Sequence, residues 1–140
     1  MSIKENIEET MSLCLDFKKL CRLEGQRVIP VAVQNQLTRE LILVAYTNEE
    51  ALKETIRLRR LVLWSTTRQK LWYKGSEESG NRFFVEEIRV NCEQNSLLYL
   101  VRPERGGICH TRDAEGRHRN CYYRRLNLET GALEFREGKK

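Results

Sequence analysis

The 140-residue sequence lacks three things: a long apolar run, a closely spaced pair of cysteines, and more than two histidines. No stretch approaches the ~18 to 20 apolar residues that a membrane-spanning helix needs, which excludes that class of protein. The opening residues, MSIKENIEETM, include acids and no apolar segment, so we expect no secretory signal peptide. Together these absences predict a cytoplasmic protein.

The chain contains five cysteines, and an odd number cannot be fully paired. Stable disulfides are rare in the cytoplasm, so burial and metal binding are the roles that remain. No two cysteines have the C-x2-C spacing, which excludes the common zinc-finger and zinc-ribbon patterns. Cys14 and Cys21 lie about two helical turns apart on one face of a predicted helix, and we interpret them as core thiols.

The composition predicts one globular domain over residues 1–140. Hydrophobic residues make up 40% and charged residues 32% of the chain, which excludes an intrinsically disordered protein. The net charge of +5 and a pI of about 9.1 favour an anionic ligand, either a phosphate-bearing small molecule or a nucleic acid. The net charge does not distinguish a phosphate-bearing small molecule from a nucleic acid.

Hydrophobic periodicity predicts an α+β fold, with a mainly antiparallel sheet and two helices. The first helix covers residues 3–23 and is ended by Gly25, whereas the second begins after an N-cap at Asn48. The predicted strands are VIPVAVQ (28–34), LILVAYT (41–47), LVLWSTT (61–67), KLWYKG (70–75), RFFVEEIRV (82–90), SLLYLVR (96–102), YYRRLNL (122–128) and ALEFRE (132–137). The segments LVLWSTT and KLWYKG are either two strands or one bent strand. Short polar segments predict hairpins between the first two strands, around NCEQN, and across ETG.

One loop, RGGICHTRDAEGRHRNCYYR (105–124), places both histidines between two cysteines. Cys92, Cys109 and Cys121 together form a C-x16-C-x11-C pattern. One interpretation is that the three cysteines bind a metal, and the alternative is that Cys109 and Cys121 are unconnected thiols in a solvated basic loop. Three thiolates around zinc leave a fourth position for water, whose pKa falls to about 7. His110, next to one cysteine, could then move protons near neutral pH, although a fourth metal ligand or a surface imidazole are the alternatives.

The motifs of this chain resemble those of the phosphoribosyl-AMP cyclohydrolases of histidine biosynthesis. The matching stretches are VIPVAVQN, VAYTNEEAL, WSTTRQKLWYKG, SGN, VEEIRVNC, GGICHT and NCYYR. They fall within residues 26–125, so the helix predicted in residues 1–25 lies outside the resemblance. The resemblance implies a small, sheet-rich homodimer whose active sites are shared between subunits. It also implies that Cys92, Cys109 and Cys121 bind a catalytic zinc and that His110 transfers protons.

The implied reaction is hydrolytic opening of the six-membered ring of an N1-ribosylated adenine nucleotide, at the N1–C6 bond. This substrate carries two phosphate groups, whose negative charge is complementary to the positive net charge of the chain. The candidate substrate-binding residues, all in the matching motifs, are Arg68, Lys70, Lys74, Ser79 and Arg124. Trp64 and Trp72 could stack on the base, but a core position is at least as compatible with their strand context.

The sequence departs from the family pattern at the first zinc cysteine. The usual stretch is Asp-Cys-Asp-x-Asp, whose carboxylates are linked to a magnesium ion, whereas this chain has Asn91, Cys92, Glu93, Gln94 and Asn95. Magnesium prefers hard carboxylate oxygens. We therefore expect Asn91, Glu93 and Asn95 to form a weakened magnesium site at most, and zinc to be the cofactor. The loop between the other two cysteines and the GSEESG loop are also longer than usual.

Three functions follow from these observations. The favoured one is a cyclohydrolase acting on phosphoribosyl-AMP, and the second is a divergent zinc hydrolase acting on another purine- or pteridine-like nucleotide. The third is a non-catalytic zinc- or RNA-binding module, suggested by basic runs near aromatic residues. No RNP-type aromatic motif is present, so a purine nucleotide is the expected partner rather than a nucleic acid or a membrane.

Overall fold

The computed structural model describes residues 21–23, 26–75, 81–104, 115–116 and 119–136, with side chains from residue 27 onward. These ranges contain nine strands and one helix. In chain order the elements are β1 (Cys21–Leu23), β2 (Gln26–Asn35), β3 (Leu41–Thr47), α1 (Glu49–Leu58), β4 (Val62–Ser65), β5 (Lys70–Tyr73), β6 (Phe83–Val90), β7 (Leu97–Pro103), β8 (Arg124–Leu126) and β9 (Leu133–Phe135).

Seven strands form one sheet in the order β5-β4-β3-β2-β7-β6, and β1 pairs with β2 outside this path. The sheet is mixed, because β2 and β7 run parallel with Val31 opposite Leu97 and Val33 opposite Tyr99. The prediction of a mainly antiparallel sheet was therefore wrong on this point. Hydrophobic alternation locates a strand but carries no information on the direction of its neighbour.

The sheet curls so that the segment before β4 meets β6. Leu61, just before β4, donates its backbone N–H to Phe83 O at 2.9 Å, and Val85 N donates to Arg59 O at 2.9 Å. Arg60 and Phe84 form an antiparallel bridge between the same segments. Because β6 is the last strand on the other side, these bonds convert an open sheet into a nearly closed barrel and cover part of the edge of β6.

The three predicted hairpins are confirmed: β2 pairs with β3, β6 with β7, and β8 with β9, all antiparallel. The predicted helix start is also confirmed. Asn48 Oδ1 accepts a hydrogen bond from Ala51 N at 2.8 Å, with Glu49 and Glu50 in the first turn. An N-cap side chain satisfies one of the free N–H groups at the start of a helix. The asparagine at position 48 was therefore enough to predict where this helix begins.

The N-terminal helix predicted for residues 3–23 is wrong at its end. Cys21–Leu23 is strand β1 and pairs with β2 in antiparallel register, with Cys21 opposite Val28. Backbone pairing with the extended start of β2 overrides the helical spacing of the side chains. Residues 3–20 of that prediction lie outside the described part of the chain.

The core lies inside the curled sheet and is sealed by α1. Its buried apolar side chains are Val31, Val33, Ile42, Leu43, Leu52, Leu61, Leu63, Phe83, Leu97, Tyr99 and Val101. Leu52 is the contribution of α1, while Thr55 of the same helix accepts from Val62 N at 3.1 Å and donates to Val62 O at 2.9 Å. Tyr99 is fully buried in this core, and burial raises the pKa of its phenol to about 12.

Candidate functional site

Cys92 lies in the tight turn between β6 and β7, where its side chain is exposed and not disulfide-bonded. The turn is organised by Asn91, whose Oδ1 accepts hydrogen bonds from Asn95 N at 2.9 Å and Ser96 N at 2.8 Å. Gln94 has a positive φ of 54° and is buried. The prediction of a turn at NCEQN is confirmed, and the turn presents the Cys92 thiol to solvent.

Cys121 lies beside β3, where its backbone N–H donates to Ile42 O at 2.9 Å. Ile42 is the extra residue of a β-bulge, because Val33 pairs with Leu43 and Gln34 with Leu41. A bulge leaves one residue out of the regular ladder, and its carbonyl here accepts from the cysteine segment. The Cys121 side chain is exposed and, like that of Cys92, not disulfide-bonded.

Within one chain, Cys92 and Cys121 are associated with different strands of the sheet. Cys92 lies in the turn just before β7, and Cys121 is hydrogen-bonded to β3. Strand β2 lies between β3 and β7 in the sheet. Two strand spacings correspond to roughly 10 Å across the sheet, whereas sulfurs that share a zinc lie only about 4 Å apart, given Zn–S bonds of about 2.3 Å. The described ranges contain no group of three His, Cys, Asp or Glu side chains able to hold a metal, and Cys109 and His110 lie outside those ranges.

Two candidate phosphate-binding residues lie at the β4–β5 turn. Arg68 and Lys70 are exposed, and the turn is held by Ser65, which accepts from Arg68 N at 3.2 Å through Oγ and from Gln69 N at 2.8 Å through its carbonyl. In this placement both cations are accessible to a ligand, and their predicted role as substrate-binding residues stays a prediction. Which anion they contact is a separate prediction.

Lys74 differs from those two cations because it is buried, with 7% of its surface exposed. Its ammonium Nζ lies 5.7 Å from the centroid of the Phe83 ring, which favours a cation–π contact. The side chain is thus held at the base of the segment that connects β5 with β6. Asn81, at the other end of that segment, is also buried, with 1% exposed, and sequence patterns gave no signal for it beyond its place in the SGN motif.

Arg124, the fourth candidate cation, lies exposed at the start of β8. Its guanidinium carbon is 5.3 Å from the centroid of the Tyr123 ring. The structure adds Arg119, which sequence reasoning missed and which lies 4.7 Å from Tyr123 and 5.1 Å from Phe135. Phe135 is opposite Arg124 in the β8–β9 ladder, so a cationic and aromatic cluster forms close to Cys121 along the chain.

Three predicted site residues, Cys109, His110 and Ser79, lie outside the described part of the chain. The two tryptophans that were left out of the site have core positions. Trp64 is buried, and Trp72 packs against the apolar core. The described portion of the site is therefore two exposed thiols, a turn with two exposed cations, and the arginine-aromatic cluster.

The described helix is too short and too polar to cross a membrane. By its fold the protein belongs to the class of small mixed β-barrels, and the described part of its surface carries exposed cysteines and cations. Comparison with known proteins identifies the family. The phosphoribosyl-AMP cyclohydrolase family model matches residues 43–123. The chain belongs to this family.

Relatives from several organisms support the assignment. The phosphoribosyl-AMP cyclohydrolase of Methanosarcina barkeri is 43% identical over 119 residues, which cover 85% of each chain. That of Archaeoglobus fulgidus is 46% identical over 105 residues, or 75% of this chain and 91% of the relative. The histidine biosynthesis bifunctional protein of Haemophilus influenzae is 44% identical over 95 residues, or 66% of this chain and 42% of that protein.

Proposed function

We propose that the protein is a phosphoribosyl-AMP cyclohydrolase of histidine biosynthesis. Water adds to C6 of the N1-ribosylated adenine ring, a C6–O bond forms, the N1–C6 bond breaks, and N1 takes up a proton. The observation that carries the proposal is the family match over residues 43–123, which contains all three candidate zinc cysteines. The substrate is a small anionic nucleotide, in keeping with the net charge of +5.

Cys92, Cys109 and Cys121 are the residues that would hold zinc. The two described thiols suit this role, because both are exposed and neither is used in a disulfide. When bound, zinc would supply a nucleophilic water at neutral pH. His110, adjacent to Cys109 in sequence, would carry a proton towards N1, since an imidazole can both accept and donate a proton near pH 7.

The phosphate groups of the substrate would be bound by arginine and lysine side chains. Arg68 and Lys70 are supported as ligands by their exposure at the β4–β5 turn, and Arg124 by its exposure in β8 beside Arg119. Guanidinium groups bind phosphate oxygens in bidentate geometry. Ser79 would contribute a hydroxyl donor. Lys74 is buried over Phe83, which favours a role in supporting the adjacent segment over direct contact with a phosphate.

The active enzyme would be a homodimer with zinc bound between subunits. The support for this is the separation of Cys92 from Cys121, because β2 lies between the strands that carry them. A second copy related by two-fold symmetry could place Cys92 of one chain next to Cys121 of the other. Each dimer would then contain two equivalent sites.

A direct assay tests the activity. Zinc-loaded protein should open the ring of phosphoribosyl-AMP, followed by the change in ultraviolet absorbance. Cys121→Ala should lose zinc and turnover, and His110→Ala should keep zinc but slow the reaction roughly 10² to 10⁴-fold. Cys14→Ala, outside the ligand set, should change neither. No turnover from protein that does hold zinc would contradict the proposed substrate.

Mixing inactive variants tests the shared site. Cys92→Ala and Cys121→Ala proteins should each be inactive, and a mixture that is unfolded and refolded together should recover about one quarter of the wild-type activity. The reason is that half of the dimers would be mixed and each would contain one site with all its cysteines. If both cysteines of a site came from one chain, mixing would restore nothing.

A further inference from the structure

The turn that carries Cys92 closes on itself through amide hydrogen bonds. Asn91 Oδ1 accepts from Asn95 N at 2.9 Å and Ser96 N at 2.8 Å, and Asn91 Nδ2 donates to Asn95 Oδ1 at 2.6 Å. The backbone adds a bond from Gln94 N to Asn91 O at 3.0 Å. One side chain therefore satisfies two backbone donors and fixes the position of the second asparagine.

These bonds use the oxygen atoms that a magnesium ion would need. An amide oxygen has two lone pairs, and both lone pairs of Asn91 Oδ1 are occupied by N–H donors. Asn95 Oδ1 accepts from Asn91 Nδ2, which leaves it one lone pair and ties its orientation to Asn91. Only Glu93, which is exposed, remains to offer a carboxylate, whereas magnesium in proteins is bound by carboxylates in near-octahedral geometry. The residues present do not fit the magnesium ion that the family pattern implies.

We propose that Asn91 replaces that magnesium ion in this protein. Asn91 is a positioning residue whose hydrogen bonds hold the Cys92 turn in shape without a divalent cation. A cation bound by carboxylates would cross-link such a turn, whereas Asn91 bridges two backbone N–H groups of the turn without added metal. The inference rests on the proposed function solely for the role of Cys92 as a zinc ligand.

The first test compares the response to magnesium of two proteins. Wild-type protein, with cobalt in place of zinc, should show the same thermal midpoint and the same thiolate–cobalt absorption from zero to millimolar magnesium. The double variant Asn91→Asp with Asn95→Asp should be less stable without magnesium, because carboxylates at 91, 93 and 95 repel each other. Saturating magnesium should raise its midpoint by roughly 3 °C or more.

The second test separates positioning of Cys92 from general stability. Asn91→Ala removes two side-chain to backbone hydrogen bonds and should lower the thermal midpoint by roughly 3 to 8 °C. Loss of a residue that orients a metal ligand should also weaken cobalt binding roughly ten-fold or more. Asn91→Asp, which keeps the acceptor oxygen, should retain most of the cobalt affinity.

Asn35 provides a matched control within the same chain. Its Oδ1 accepts from Leu37 N at 2.9 Å and Thr38 N at 3.1 Å in the β2–β3 turn. Asn35→Ala should therefore cause a comparable loss of stability with no change in cobalt binding, and Asn35→Asp should not create a response to magnesium. Both asparagines accept two backbone N–H groups through Oδ1, but only Asn91 lies in the turn that carries Cys92.

Two results would overturn the proposal. One is a wild-type midpoint or cobalt spectrum that depends on millimolar magnesium. The other is equal cobalt affinity in Asn91→Ala and Asn35→Ala. Neither result depends on turnover, so failure of ring opening would contradict the proposed function while the magnesium and cobalt measurements still decide the role of Asn91.

Discussion

Gly75 shows how a single backbone position constrains the segment between β5 and β6. Its φ is +102°, a region that side chains rarely tolerate, and a Cβ atom there would lie 2.4 Å from Arg82 Cγ and 2.8 Å from Arg82 Cα. The second contact is with backbone, so no rotation of a side chain can relieve it. Glycine is thus required both by conformation and by the close approach of the two strand ends.

Replacing Gly75 with alanine should be strongly destabilising. We expect Gly75→Ala to lower the free energy of unfolding by about 3 kcal/mol, because strain and a steric clash add. Gly131→Ala is the control, since φ is +75° and no atom lies within 4 Å of the added Cβ; its cost should be about 1 to 2 kcal/mol. Urea unfolding measures both, and equal losses would show that the Arg82 contact is unimportant.

At the scale of elements, α1 is attached to the sheet by polar contacts as well as by its apolar face. Glu54 accepts from Tyr73 Oη of β5 at 2.7 Å and from Arg57 Nε at 2.6 Å. Hydrogen bonds from Arg57 and Tyr73 lower the pKa of Glu54 to about 2 from 4.5. The carboxylate form is therefore favoured by the folded state.

This lowered pKa predicts a pH dependence of stability. A carboxyl whose pKa is lower in the folded than in the unfolded state stabilises the fold above the unfolded value of 4.5, and that contribution is lost as pH falls from 4.5 towards 2. Glu54→Gln should flatten the dependence of the unfolding free energy on pH in this window. Tyr73→Phe, which keeps the Arg57 pair, should give an intermediate slope. Unchanged slopes in urea unfolding between pH 2 and pH 5 would contradict the assignment.

The β8–β9 hairpin is an element of a different kind, because it stands outside the seven-stranded sheet. Leu126 and Leu133 are opposite each other in its ladder and more than half exposed. Arg125 and Glu134 form an ion pair at 2.7 Å. This pair lies within the hairpin, and a contact between exposed charges contributes little. The hairpin is connected to the body by the ion pair of Arg136 with Glu40 at 3.4 Å and by the bond from Cys121 N to Ile42 O just before β8.

At the scale of the whole molecule, stability depends on closure of the sheet between the segment before β4 and the start of β6. The amides of Leu61 and Val85 donate across this closure, each at 2.9 Å. In hydrogen exchange they should be protected at least ~100-fold more than the amide of Leu37, which donates to an exposed side-chain acceptor. Equally fast exchange at all three positions would mean that the barrel opens readily in solution.

The local sequence determined the strands other than β1, the three hairpins, the start of α1 and the Cys92 turn. Each of these depends on residues that are near one another in the chain. Alternating apolar residues select strands, an asparagine caps a helix, and the polar NCEQN segment forms a turn. The cysteine and WSTTR motifs identified the family, which the match over residues 43–123 confirmed.

Only the tertiary structure decided the parallel pairing of β2 with β7, the closure between β4 and β6, and the strand identity of Cys21–Leu23. It also decided that β2 separates Cys92 from Cys121. The physical reason is that these features depend on backbone hydrogen bonds between segments far apart in the chain. A side-chain pattern shows which residues are buried, but not which distant strand supplies the partner for each N–H and C=O group.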